Sequence, residues 1–206
     1  MQTARLNLVR LSPDHLRGYH SVWSDPYGTR WSEHGPCKTL EESNDWMSGT
    51  LLDKNPKGEM YAVLLRPPNT LNQLPTTTTV EGDQQQPDFL RLETVAGTED
   101  ESGQFIGVIG TWKSDPVPEL GFIFHRFAWH QGFATEALNA WLELFWKRKP
   151  EFDVVEAYAD TENHASLKVL RKCGFEQVEI QVGASTLPAM QPPSRDLVRF
   201  DGKRKK

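Results

Sequence analysis

Long apolar runs are missing from this 206-residue chain. None approaches the roughly 20 residues that would span a membrane. The start, Met1 to Arg5, lacks the apolar block of a secretory signal, so no membrane association is expected. Cysteine is nearly absent: Cys37 and Cys173 stand alone and far apart. That excludes a disulfide framework and fits a reducing compartment, the cytoplasm and also the nucleus. His34 near Cys37 has no second ligand pair, so no metal is expected. An excess of positive charge is missing too. The net charge is −5 and the sequence pI about 5.7, which argues against general nucleic-acid binding and mildly favours a cationic ligand. Finally, no G-x-G-x-x-G run occurs, which removes the dinucleotide-binding reading of its glycine turns.

What is present is a core-forming aromatic supply, seven Trp and ten Phe, distributed over alternating and helical patterns. Leu6–Leu11 alternates as a first strand. Ser12 and Pro13 read as the start of a helix carrying Leu16, Tyr19 and Trp23 and ending near Asp25. The Thr39–Glu42 capping-box pattern opens a second helix reaching about Leu52. Met60–Leu65 is an apolar strand. From about 68 to 103, Pro, Thr, Gln, Asp and Glu dominate. Such a stretch has too little apolar surface to offset its ordering entropy, so it reads as a loop inserted in one domain, with a short strand at Phe89–Leu92. Phe105–Trp112 and Glu119–Phe124 form an antiparallel hairpin about Asp115–Pro118. Further strands are expected at Asp153–Ala159, Phe175–Val182 and Asp196–Phe200. Between the last two lies a Pro-rich excursion, and the chain closes with a basic tail at about 201–206. Helices interleave with these strands, which gives a mixed α/β layer fold in a single domain over 1–206.

The most informative stretch follows the Glu119–Phe124 strand. Trp129 to Ala137 reads WHQGFATEA, a tight turn running directly into a helix whose apolar positions are Ala134, Ala137, Leu138, Trp141, Leu142 and Phe145. A small-residue turn at a helix start offers free backbone N–H groups and the positive end of the helix dipole, which together seat phosphate groups. A second block, Asn163 to Phe175 (NHASLKVLRKCGF), follows the next strand, with Asn163 as helix cap and Gly174 at the left-handed C-terminal position.

These two blocks, in this order and on these elements, resemble the two signature blocks of the Gcn5-related N-acetyltransferases. The N-terminal runs around Ala4–Leu11, Asp25–Trp31 and Thr39–Trp46 are similar to the branch containing the ribosomal-protein N-terminal acetyltransferases. The resemblance covers about 5–65 and 103–200. It implies a mostly antiparallel sheet of six to seven strands with a splayed central pair, flanked by about four helices. It implies acetyl transfer from acetyl-coenzyme A, as co-substrate, to an amine of a small molecule or peptide, by a monomer or homodimer. The pantetheine arm would lie along Gly121, Phe122, Ile123 and Phe124. The pyrophosphate would sit in the turn Trp129, His130, Gln131, Gly132, Phe133, Ala134 and Thr135. Asn163 would contact the cofactor arm, with Lys168 within reach of its phosphates, and Ser166 would lie near the departing sulfur.

Forming an amide from a thioester needs a neutral amine and a protonated leaving thiolate. Glu119, at the head of its strand, is the candidate base. Ser166 is the candidate acid, with Tyr158 as a rival on the strand face opposite Val155, Ala157 and Ala159. Trp31, Glu33 and His34, together with Glu119, are the candidate acceptor contacts. The competing reading is a catalytically silent acyl-coenzyme A binder acting as a sensor or interaction module.

Overall fold

In the computed structural model, residues 1–66, 99–100 and 103–205 are described. Most of the 68–103 stretch, including the strand expected at Phe89–Leu92, lies outside them. One sheet organises the rest, in the order β1-β2-β4-β5-β6-β8-β7, with the two-residue β3 (Glu99–Asp100) on the end of β4. Its other strands are β1 (Leu6–Arg10), β2 (Glu59–Leu65), β4 (Gly103–Lys113), β5 (Glu119–Phe124), β6 (Val154–Asp160), β7 (Glu176–Thr186) and β8 (Ser194–Lys203). Every neighbouring pair is antiparallel except β5 and β6.

Helices cover both faces. The helix α4 (Phe133–Arg148) and α5 (His164–Lys172) pack Leu138, Trp141, Phe145, Leu167 and Leu170 onto one face, against Leu6, Leu8, Val63, Ile106, Val155 and Phe200. On the other face, α1 (Leu16–Trp23) and α3 (Leu40–Ser48) bury Tyr19, Val22 and Met47 against Met60, Ala62, Phe105 and Val108. Covered on both sides, β2 and β4 are near-continuous apolar runs instead of alternating ones. Gly18 lets α1 lie on β4: a Cβ there would stand 2.4 Å from the Phe105 ring. Beyond α5, β7 is an edge strand with Val178, Ile180 and Val182 exposed, the last at 84%.

Several boundaries differ from the sequence reading. Ser12 and Pro13 open a 3-10 turn, Pro13–His15, in which Ser12 and His15 cap each other; α1 begins only at Leu16. Asp25 caps a further short helix, α2 (Pro26–Thr29), through its carboxylate on the Tyr27 N–H. Thr39 caps α3 by accepting the Glu42 N–H, but Glu42 reaches back to the Lys38 N–H instead of the cap's own, and the helix ends at Ser48. The basic stretch read as a tail from 201 starts inside β8. Lys203 pairs with Glu176, and Arg204 donates to the Phe152 and Lys149 carbonyls while lying over the Trp146 ring.

Candidate active site

The parallel pairing of β5 with β6 covers only Glu119↔Glu156 and Leu120↔Ala157. Beyond those two pairs the strands diverge. β5 stays paired with β4 through Phe124, and β6 stays paired with β8 along its whole length. The N–H of His125 donates to the Ile106 carbonyl, so the backbone alternation turns the N–H and C=O groups of Phe122 and Phe124 away from β4, toward the opening. The Phe124 carbonyl is met there by the indole N–H of Trp129 at 2.8 Å. The Phe122 groups and the Phe124 N–H face this opening without a strand partner among the described residues, an edge of the kind an extended arm can pair with.

A 3-10 turn, Arg126–Ala128, leads from β5 into the predicted phosphate turn. His130 has φ 62° and Gly132 φ 80°, two left-handed residues in three positions, which reverse the chain into α4. Gly132 is the exposed N-cap residue, and among the described residues only Arg5 comes within 4 Å of the place a Cβ would take, at 3.6 Å. Within the turn, the Gln131 amide donates to the Phe127 carbonyl at 2.5 Å, Phe133 is buried, and Ala134 and Thr135 are half-buried. These residues present the first backbone N–H groups of a 16-residue helix to solvent, as an anion seat requires. The residues and their conformation fit the pyrophosphate and pantetheine portions of coenzyme A.

At the narrow end of the opening, side chains of one sheet face gather. Val155, Ala157 and Ala159 are buried toward α4 and α5, so Glu156 and Tyr158 point the other way, as the alternation predicts. Glu119 is the register partner of both Glu156 and Lys113. Burial raises its carboxyl above the ordinary range; Lys113 opposes this, and the charges of Glu156 and Glu33 add to it. Tyr158 donates its hydroxyl to Glu156 at 2.9 Å. Burial first, and that bond second, push the phenol up to about 12. Arg199, facing Tyr158 in the next strand, holds Glu156 at 2.6 Å.

The remaining expected residues divide. Glu33 accepts the Ser185 hydroxyl at 2.7 Å, tying the α2–α3 loop to β7 beside this carboxylate group. Trp31 lies under the Arg30 guanidinium, whereas His34 stacks on Trp46 at 4.2 Å and joins the aromatic cluster of α1 and α3. At the far end of β6, the Asn163 side chain accepts the Ser166 N–H, so one end of that amide is spent on capping α5. The Ser166 hydroxyl has no hydrogen-bond partner among the described residues. Lys168 is exposed on α5. Glu156 and Arg199 were not singled out from the sequence as site residues. The alternation that placed Tyr158 also placed Glu156, but nothing local announced Arg199 across the ladder.

The sheet is thus mixed, with one short parallel joint that opens beside the left-handed turn at the start of α4. The model of the acetyltransferase (GNAT) domain family matches residues 5–176, and the chain belongs to that family, whose activity is acetyl transfer. Solved structures share the whole fold at low sequence identity. A GNAT-family acetyltransferase from Bacillus anthracis is 15% identical, with TM-score 0.70, covering 98% of this chain and 97% of that one. The ribosomal L7/L12 alpha-N-protein acetyltransferase RimL, solved with coenzyme A, is 15% identical with TM-score 0.69, covering 98% and 95%. A spermidine N-acetyltransferase from Vibrio cholerae, solved with coenzyme A and spermine, is 14% identical with TM-score 0.66, covering 98% and 96%. Among curated proteins, the uncharacterized protein YkkB of Bacillus subtilis (strain 168) is 32% identical over 78 residues, which is 36% of this chain and 45% of that protein. The alignment thus spans less than half of that curated relative. Among the described residues no helix is long and apolar enough to cross a membrane.

Proposed function

We propose that this protein is an N-acetyltransferase that moves the acetyl group of acetyl-coenzyme A onto a primary amine of a small molecule or a peptide. The observation that carries the reading is the end of the β5–β6 ladder after Leu120↔Ala157. It leaves a hydrogen-bonding edge at Phe122 and Phe124 on the strand that leads into the Gly132 turn, the order in which pantetheine is followed by pyrophosphate. That solved relatives of the same fold hold coenzyme A supports it.

In this reading the arm pairs with β5 and the phosphates meet the N–H groups of 132–135. The acetyl carbon then lies toward the carboxylates at the narrow end. Glu119, ionised and made a stronger proton acceptor by its burial, accepts a proton from the incoming ammonium, directly or through water. The freed nitrogen lone pair attacks the thioester carbonyl and the C–S bond breaks; the thiolate takes a proton from a donor, and the second proton lost by the nitrogen replaces the one the donor gave up. Ser166 is the donor favoured here, because its hydroxyl is uncommitted while the Tyr158 proton is bound to Glu156. Positioning supplies most of the rate, and proton transfer about 10²–10⁴-fold. Two free thiols, with Cys37 buried, suit the cytoplasm.

Coenzyme A at about 100 times its Kd should raise Tm by about 5–10 °C. Gly132→Glu, which places a carboxylate and a strained left-handed residue before the helix start, should remove the shift. An unshifted wild type at millimolar ligand defeats the reading. Thiol release from acetyl-coenzyme A across a panel of amines, including polyamines and peptide N-termini, tests transfer. Tight binding with no release from any amine selects the silent acyl-coenzyme A binder instead.

A further inference from the structure

The phosphate turn is held in place from a distance of about 130 residues in sequence, by the segment before β1. Thr3 donates its hydroxyl to Glu136 Oε1 at 2.6 Å, and the Arg5 N–H donates to the same oxygen at 3.0 Å. Arg5 Nε and Nη2 each reach Glu136 Oε2 at 2.7 Å. The remaining guanidinium nitrogen, Nη1, donates to the Gln131 carbonyl at 3.0 Å, and the group as a whole lies 4.4 Å over the Phe133 ring. One guanidinium therefore touches residues 131, 133 and 136, which lie in the turn and in the first helical turn behind it.

The chemistry of that contact bears on anion binding. Glu136 stands in the first turn of α4, where a carboxylate suits the helix dipole but opposes a second anion at the same helix start. Burial would raise its carboxyl, yet the bonds from Thr3 and Arg5 outweigh that and hold it below its ordinary value, so it is charged at neutral pH. The Arg5 fork meets this charge with two nitrogens on one carboxylate oxygen, and its third nitrogen at the same time holds the Gln131 carbonyl.

We propose that Arg5 is a positioning residue for the cofactor: with Glu136 it fixes the 131–136 turn and cancels the carboxylate charge that would otherwise face the pyrophosphate. The N-terminal segment is then part of the cofactor apparatus and more than the lead-in to an edge strand. This rests on the coenzyme A reading above.

The test measures Kd in the full-length chain for coenzyme A and for pantetheine, which lacks the phosphates. Arg5→Ala weakens coenzyme A by about tenfold, from one lost charge-assisted contact set, and leaves pantetheine unchanged. Arg5→Lys restores charge without the fork and recovers part of the loss. Adding Glu136→Gln to Arg5→Ala recovers most of it, because the uncompensated carboxylate is gone; a purely structural brace would lose more, not less, on the second change. Three results overturn the proposal: wild-type affinity in Arg5→Ala, equal losses for the two ligands, or a double variant no better than Arg5→Ala. If Arg5→Ala does not fold, Arg5→Lys decides: it must weaken coenzyme A by about threefold with pantetheine unchanged, and equal or absent losses reject the role. A wild type that binds neither ligand fails the coenzyme A reading itself, and Arg5 with it.

Discussion

Glu119 takes its character from neighbours on three separate elements: Lys113 on β4, Glu156 on β6 and Glu33 in the α2–α3 loop. Its ordinary value would be near pH 4.3, and burial with two like charges lifts it. A base must be ionised to act, so kcat/KM should fall as pH drops through this raised value. Glu119→Gln should lower kcat/KM by about 10²–10⁴ and remove that acid limb from the profile. Glu156→Gln removes one like charge, so the limb should move to lower pH; a limb that stays put in both variants would assign it to another group. Glu119 was legible beforehand because a carboxylate at a strand head is a local pattern. The partners that tune it are encoded only by register. In the same way Arg5 and Glu136, 131 residues apart, follow no periodicity that would pair them before the fold is known.

Elements were legible to the extent that their signals were local and two-sided. β2 and β4, apolar on both faces, and α4, with its apolar stripe, stand where their patterns put them. The β7–β8 hairpin was harder to read because its edge carries apolar residues into solvent, and the Pro-rich stretch from Ser185 masks strand residues at both of its ends. The β6–α5 corner depended on a partner hidden in that stretch. Arg195, at the start of β8, meets the Asp160 carboxylate at 2.7 and 3.0 Å in a buried pair, and also reaches Glu162. Asp160 in turn accepts the Glu162 N–H on its side chain and the Asn163 N–H on its carbonyl, fixing the corner from which α5 is capped. Burial would raise the Asp160 carboxyl, but the Arg195 bonds prevail and depress it. A depressed carboxyl stabilises the fold fully above its unfolded value of about 3.9, and that contribution disappears as pH falls further, through the folded value. Asp160→Asn should cost about 3 kcal/mol at neutral pH in a denaturant melt. It should also flatten the acid dependence of stability below about pH 4. An Asn variant as acid-sensitive as the parent would place that titration elsewhere.

Seen as a whole molecule, the sheet is a bonded ladder whose neighbouring strands part, among the described residues, at the β5–β6 joint. On its β4 side β5 is bonded to its end, and on its β8 side β6 is bonded throughout, so neither strand can swing in to meet the other without breaking pairs elsewhere. The gap between them is accordingly a fixed feature of the chain trace and needs no hinge. That has a consequence for the time course of cofactor capture. Association followed by the fluorescence of Trp129, whose indole closes the gap at the Phe124 carbonyl, should be a single exponential. Its observed rate should climb in proportion to coenzyme A concentration without levelling off. A plateau would reveal a slower rearrangement ahead of or behind the encounter, and with it a sheet less rigid than its hydrogen bonds imply.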